Sequence, residues 1–396
     1  MSISKKISEY MKSGSWIRRM FEEGALLKAK YGAENVFDFT LGNPLLPPPR
    51  KVLDELTKIV NENPEAGHGY MHNAGYEEVR ESIAKYLKKL YGIPFTAKNI
   101  VMSSGAGGGM NILLKSILDP GDEIIIIAPY FVEYLYYIDN HGGKVVKVNA
   151  GKNFDLDVPA IEKAITPRTK GIIICSPNNP TGVVYSKETL AHLGEILRKK
   201  ENEYGKTIYL INDEPYRKIL YDGIEFPSHM VHYRNSVLVT SHSKDFSVPG
   251  ERIGYVAIHP DSENWEDVVN AMTFCNRVLG FVNAPALWQR IAGACQDASV
   301  DVEWYRIRRD LLYNGLREIG YEVVKPQGAF YLFPKCPCED DVAFAKKAAQ
   351  FNLLVVPGSG FGTPGYFRIS YCAVSLEMIE RSMPIFKELF IEMKNS

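Results

Sequence analysis

Apolar positions along this chain fall into distinct textures. From residue 99 onward, short and nearly continuous apolar runs occupy residues 100–102, 124–127, 145–148, 172–174, 209–211, 237–239 and 253–258. Strands buried on both faces have this pattern, because neither side needs to alternate with polar residues. Between the runs, residues 108–118, 132–141, 187–203 and 262–279 repeat apolar positions at helical spacing. Strands that alternate with helices predict an α/β unit with a mostly parallel sheet flanked by helices. Ahead of it, residues 50–62 and 76–91 also have helical spacing, and residues 1–35 read as amphipathic helix with mixed charge. A short extended segment, Val36-Phe37-Asp38-Phe39, then enters a rigid prolyl turn through Gly42-Asn43-Pro44 and Pro47-Pro48-Pro49.

Past residue 285 the texture changes. A long charged helix is predicted over roughly 286–319, followed by extended segments at 321–324, 329–333, 353–356 and 367–370. Strands mixed with helices predict a smaller α+β domain. The expected division is an N-terminal segment, 1–49, packing with the small domain; a large domain, 50–285; and a small C-terminal domain, 286–396.

Composition narrows the classes. The chain has 396 residues, 45% hydrophobic and 23% charged, enough for a sizeable core. A net charge of −1 provides no basic field for nucleic acid or an anionic membrane surface. No apolar run approaches the roughly 20 residues needed to cross a bilayer, and no apolar stretch follows the lysines of the N-terminus. A cytoplasmic location is expected. The six cysteines are scattered, and the close pair Cys336-Pro337-Cys338 has no second pair or nearby histidine to complete a zinc pattern. Reduced thiols and no metal are expected.

In open α/β sheets, ligands bind beyond the carboxyl ends of the strands. The residues just past each apolar run are therefore candidate site residues. Residues 100–102 lead to Ser103-Ser104-Gly105-Ala106-Gly107-Gly108-Gly109, a glycine-rich turn opening a helix, where free backbone N–H groups and the helix dipole suit a phosphate. Ile127 leads to Pro129-Tyr130-Phe131, an aromatic surface, and Cys175 to a rigid turn with Asn178 and Asn179. Ile211 leads to Asn212-Asp213-Glu214-Pro215-Tyr216, Val239 to Ser241-His242-Ser243-Lys244, and Arg252 precedes the next run. A planar phosphorylated pyridine needs an anion site, a stacking surface, a carboxylate for its ring nitrogen and a lysine for its aldehyde. A dinucleotide fingerprint starting at Gly105 would need glycine at 110, where Met110 stands. The inventory therefore favours pyridoxal 5′-phosphate (PLP) over a nicotinamide cofactor.

Four segments carry a resemblance across nearly the whole chain. They are Asn178-Asn179-Pro180-Thr181-Gly182, Asp213-Glu214-Pro215-Tyr216, Ser241-His242-Ser243-Lys244 with Glu251-Arg252-Ile253-Gly254, and Phe367-Arg368-Ile369-Ser370. In that order and spacing the chain resembles the class I/II aminotransferases, fold-type I PLP enzymes. The resemblance implies that Lys244 carries PLP as a Schiff base and moves the substrate's α-proton. Asp213 would pair with the ring nitrogen, and Tyr216 and Asn179 would hydrogen-bond the ring's 3′ oxygen. Phosphate would be held by Gly105, Ala106 and Gly107 with Ser241, Ser243 and Arg252. Phe131 would stack on the ring, and Arg368 would clamp the α-carboxylate, with Gly42 and Asn179 lining the substrate side. Tyr70 matches a family tyrosine that reaches the phosphate of the neighbouring subunit, so a homodimer with shared sites is implied.

The expected reaction is ping-pong transfer of an amino group from an L-amino acid to a 2-oxo acid. On the same scaffold, β-elimination is the alternative, and a non-enzymatic PLP sensor a distant one. Some bacterial aspartate aminotransferases of this group carry a lysine in the phosphate loop that reads the distal carboxylate. Residues 105–109 contain none, so aspartate specificity is not implied. Arg277 reads as a surface helical arginine.

Overall fold

A computed structural model describes residues 2–12, 16–62 and 68–394. Residues 13–15, inside the N-terminal stretch read as amphipathic helix, lie outside it; helices occupy Lys5–Lys12 and Trp16–Tyr31 on either side. Twelve strands occur among the described residues. They are β1 (Phe37–Asp38), β2 (Ile100–Ser104), β3 (Glu123–Ala128), β4 (Lys144–Asn149), β5 (Thr169–Cys175), β6 (Tyr209–Asp213), β7 (Ser236–Ser241) and β8 (Ile253–Ile258), then β9 (Tyr331–Leu332), β10 (Leu353–Leu354), β11 (Val356–Pro357) and β12 (Phe367–Ser370).

β2 to β8 form one sheet in the order β2-β8-β7-β6-β5-β3-β4. Every pairing is parallel except those of β8, which runs against both β2 and β7. The apolar runs serve both faces. Ile124 and Ile126 pack into one core cluster, and Ile125 and Ile127 into another across the sheet. The strand period of two thus feeds two cores from one unbroken run. β4, at the edge, is mostly exposed or half-buried, with Val148 its one buried residue. The sheet matches the predicted mostly parallel α/β class.

The C-terminal part is built on two small sheets, β11-β12-β9, antiparallel, and β1-β10, parallel. β1 thus brings the N-terminal segment onto a strand more than 300 positions away, pairing Phe37 with Leu353. Two expectations are corrected. The helix expected over 286–319 is two helices, Ala286–Ala294 and Val302–Ile319. Asp301 caps the second by accepting from the Glu303 and Trp304 backbone N–H groups, so residues 295–301 form a turn. Residues 321–324 are not a strand. Tyr321 is pinned in the core, its hydroxyl donating to the Phe386 carbonyl at 3.0 Å, while the Glu322 carbonyl takes one backbone bond, from Lys335.

Candidate active site

Three parallel strand ends deliver the chemistry. β5 passes into the turn that holds Asn179, β6 ends at Asp213 with Tyr216 just beyond, and β7 ends at Ser241, ahead of Ser243 and Lys244. The register sets Cys175 beside Asp213 and Asp213 beside Val239, so the ends finish close together. The antiparallel β8 begins at the same edge, directly after Arg252. A cavity of about 410 Å³ opens there, walled by Asn179, Asp213, Tyr216, Ser241, Ser243 and Lys244. Ala106, Gly107, Phe131 and Arg252 add to the wall on the large-sheet side, and Gly42 and Arg368 on the other.

Lys244 donates from Nζ to the Gly42 carbonyl at 2.6 Å. Burial pushes its pKa down to about 8, with the Arg368 and Arg252 charges acting in the same direction against Cys372. A useful fraction is then neutral amine near physiological pH. Asp213 accepts from the Tyr134 hydroxyl at 2.6 Å through Oδ2, while its Oδ1 is buried without a hydrogen-bond partner. Burial raises its pKa to about 6; Glu214 adds to the rise and the Tyr134 bond opposes it. Tyr216 Oη lies 2.9 Å from Tyr331 Oη, and burial holds the Tyr216 phenol protonated, well above its ordinary pKa.

Arg368 sits on β12 between Phe367 and Ile369, which pack into the small-domain core. It is 2% exposed. Nη1 donates to Asn179 Oδ1 at 3.0 Å and Nη2 to the Thr40 carbonyl at 2.6 Å, while Nε has no partner. A planar guanidinium fixed at a cavity wall suits a carboxylate.

At the other end, Ser241 Oγ lies 3.2 Å from Ser243 Oγ. Arg252 has left-handed backbone, φ 53°, and so does Gly105, φ +68°. A Cβ on Gly105 would stand 2.7 Å from Arg252 Nη2. Gly105 therefore seats the arginine from behind the wall and does not line the cavity, unlike Ala106 and Gly107. Tyr70 is also off the wall, 92% exposed. Arg277 is exposed on the helix Trp265–Val278.

Sequence reasoning missed several wall residues, among them Tyr134, Tyr137, Tyr331 and Glu133. For three of these a signal existed. Glu133 and Tyr137 are four apart on the helix Glu133–Asn140 and share a face, and Tyr134 follows Phe131 by one helical turn. For Tyr331 no local signal existed.

The class I and II aminotransferase family matches residues 34–383. This chain belongs to that family. A relative from Methanocaldococcus jannaschii, described as a probable aspartate aminotransferase, is 34% identical over 88% of this chain and 92% of its own length. An aspartate/prephenate aminotransferase from Thermus thermophilus is 34% identical over 80% of this chain and 82% of its own. Among solved structures, an aminotransferase from Eubacterium rectale superposes with a TM-score of 0.95 at 41% identity, covering 99% of both chains. The chain is a PLP-dependent aminotransferase, and nothing favours the β-eliminating alternative.

The residues present fit that cofactor. An aminotransferase of this family needs an acceptor for the proton on the ring nitrogen, and Asp213 keeps one buried oxygen open on the cavity wall. It needs an amine, and Lys244 has one of lowered pKa. It needs a cation and small residues at the phosphate, and Arg252 stands with Ala106 and Gly107.

Proposed function

We propose that Lys244 is the residue to which the cofactor attaches and that the cavity around it performs ping-pong amino transfer between L-amino acids and 2-oxo acids. The observation that carries this reading is the convergence of Lys244, Asp213 and Arg368 on one cavity, Asp213 and Lys244 from neighbouring strand ends and Arg368 from β12 near the other end of the chain. When bound, PLP supplies an electrophilic aldehyde and a conjugated ring that accepts electron density from the substrate's α-carbon. Asp213, through Oδ1, holds the proton on the ring nitrogen. Tyr216 and Asn179 hold the ring's 3′ oxygen, and Phe131 lies against the ring. Arg252, Ser241 and Ser243 hold the phosphate together with the backbone at Ala106 and Gly107, while Gly105 seats Arg252. Arg368 fixes the α-carboxylate and so orients the α-carbon, with Gly42 and Asn179 closing that side. The Lys244 amine, with its pKa near 8, takes the α-proton and returns it.

In this reading residues 1–49 pack with the small domain, 286–396, beside the large domain, 50–285. The enzyme works in the cytoplasm as a homodimer with shared sites. All six cysteines are unpaired, as in a reducing compartment. Among the described residues, no helix is long and apolar enough to cross a membrane. Tyr70, at 92% exposure, is available to a partner's phosphate site, and Phe274 and Val278 are also exposed apolar groups. A transamination panel of amino acids, run beside a keto-acid release assay without acceptor, tests the reaction. Transfer that depends on the acceptor supports it; keto-acid and ammonia release without acceptor overturns it. Mixing Lys244→Ala with Tyr70→Phe subunits tests the shared site. Hybrids regain activity if one site collects both lesions; a fully active monomer contradicts the dimer.

A further inference from the structure

One charged group in the cavity takes no part in holding the cofactor or the α-carboxylate. Glu133 opens the helix Glu133–Asn140 and lines the same cavity as Lys244 and Arg368. Its Oε2 is shielded from solvent and has no hydrogen-bond partner. Burial raises its pKa; its own backbone N–H and the Arg368 charge pull it partly back. A buried carboxylate oxygen with nothing to accept from is costly, and such a group persists where something else completes it.

Matching charges one for one shows what is left over. This matching rests on the aminotransferase reading. Arg252 is taken up by phosphate, Asp213 by the ring nitrogen, Lys244 by the aldehyde and Arg368 by the α-carboxylate. The last pairing takes up the cation whose charge acts on Glu133 among the described residues. With substrate in place, the Glu133 carboxyl has no protein counter-ion among the residues lining the cavity. The facing loop supplies none, since Ala106 and Gly107 are uncharged and a Cβ at Gly107 would already stand 3.0 Å from Tyr137 Oη. Tyr137, one helical turn beyond Glu133, lines the cavity too, and burial first, then the Glu133 and Asp213 charges, push its phenol up to about 12. Carboxylate and neutral phenol together make an acceptor pair.

We infer that Glu133 reads the substrate side chain and that this enzyme prefers amino donors whose side chain ends in a protonated amine or guanidinium. An acidic side chain would set a second anion beside Glu133, and an aliphatic one would leave the carboxylate uncompensated.

The test compares L-lysine, L-ornithine, L-norleucine and L-aspartate as donors for the holoenzyme and for Glu133→Gln. Binding is read separately from the absorbance change on adding α-methyl-L-lysine or α-methyl-L-norleucine, which cannot lose an α-proton. The wild type should favour the cationic donors over norleucine by about tenfold or more in kcat/KM, with the same order in binding, the worth of one charged hydrogen bond. In Glu133→Gln the ratio should collapse to about threefold or less. A wild type that favours aspartate or norleucine overturns the inference and needs no variant. An unchanged ratio in a folded, PLP-loaded Glu133→Gln also overturns it. Either result leaves amino transfer itself standing, whereas no transfer from any amino acid would bring down the aminotransferase reading and this inference with it.

Discussion

Two pairs of neighbours along the chain show how one sheet edge serves two purposes. Asp213 and Lys244 line the cavity; Glu214 and Asp245, the next residue in each case, turn away from it. Behind the cavity the buried charges meet protein partners. Asp245 lies 2.8 Å from Lys218 Nζ and 3.1 Å from His242 Nδ1. Burial works to raise the Asp245 carboxyl, but Lys218 and His242 hold it well below the usual carboxylate range. Glu214 accepts from Asn212 Nδ2 at 3.0 Å through Oε1, with His229 Nδ1 at 3.4 Å; its Oε2 accepts no hydrogen bond but has the Arg217 cation at 3.9 Å. On the cavity side Asp213 keeps an open oxygen and Lys244 has only a backbone carbonyl. Both have pKa values moved toward neutrality, about 6 and about 8. Equal burial thus yields opposite outcomes. Where the protein completes a charge it stabilises the fold, and where it leaves the charge incomplete it makes a site for a ligand.

Substitutions on each side should separate these roles. The largest effect is expected from Asp245→Asn, which leaves Lys218 buried without its counter-ion. Stability should fall by roughly 3–5 kcal/mol, seen as a lower denaturant midpoint, while turnover per folded molecule is retained. A variant of normal stability would show that the rear pair contributes nothing.

Next is Asp213→Ala, which should lower kcat by about 10²–10³ with cofactor occupancy largely kept. Near-normal turnover would reduce Asp213 to a turn residue and erase the contrast. The same position gives a pH test in the cofactor-free protein. Because the folded pKa is raised from 3.8 to about 6, the folded state binds more protons than the unfolded one in between. Stability from this group is therefore lost as pH rises through that window. Asp213→Asn should match wild type near pH 4 and exceed it by roughly 3 kcal/mol or less at pH 8 in calorimetry. A variant less stable at pH 8 would contradict the incomplete state of Asp213.

The smallest effect is expected from Arg368→Lys. A lysine cannot reproduce the fork, so kcat/KM should drop by about tenfold or more for acidic, aromatic and aliphatic donors alike, with little change in melting temperature. Loss of stability with unchanged kinetics would place Arg368 with the rear cluster.

Much of this was legible in the sequence because apolar strand runs and their ends are local features. The apolar runs mark the sheet, and the residues just past their ends include Asn179, Asp213, Tyr216 and Lys244. The turn at 295–301 was hidden because charged residues on both sides continue a helical texture across it, although Asp301 carried a capping signal. The partners that complete the site were not legible. Tyr331 meets Tyr216 from 115 positions away, through the packing of the small domain against the sheet edge. Glu133 shares a helix face with Tyr137, but that spacing does not reveal that its Oε2 is buried at the cavity without a hydrogen-bond partner.

The central claim is that Lys244 carries the cofactor, and chemical trapping tests it most directly. Borohydride reduction of the holoenzyme, followed by digestion and peptide mapping, should place the pyridoxyl group on Lys244, and Lys244→Ala should take up no reducible label. A pyridoxyl group found on any other lysine would contradict the account.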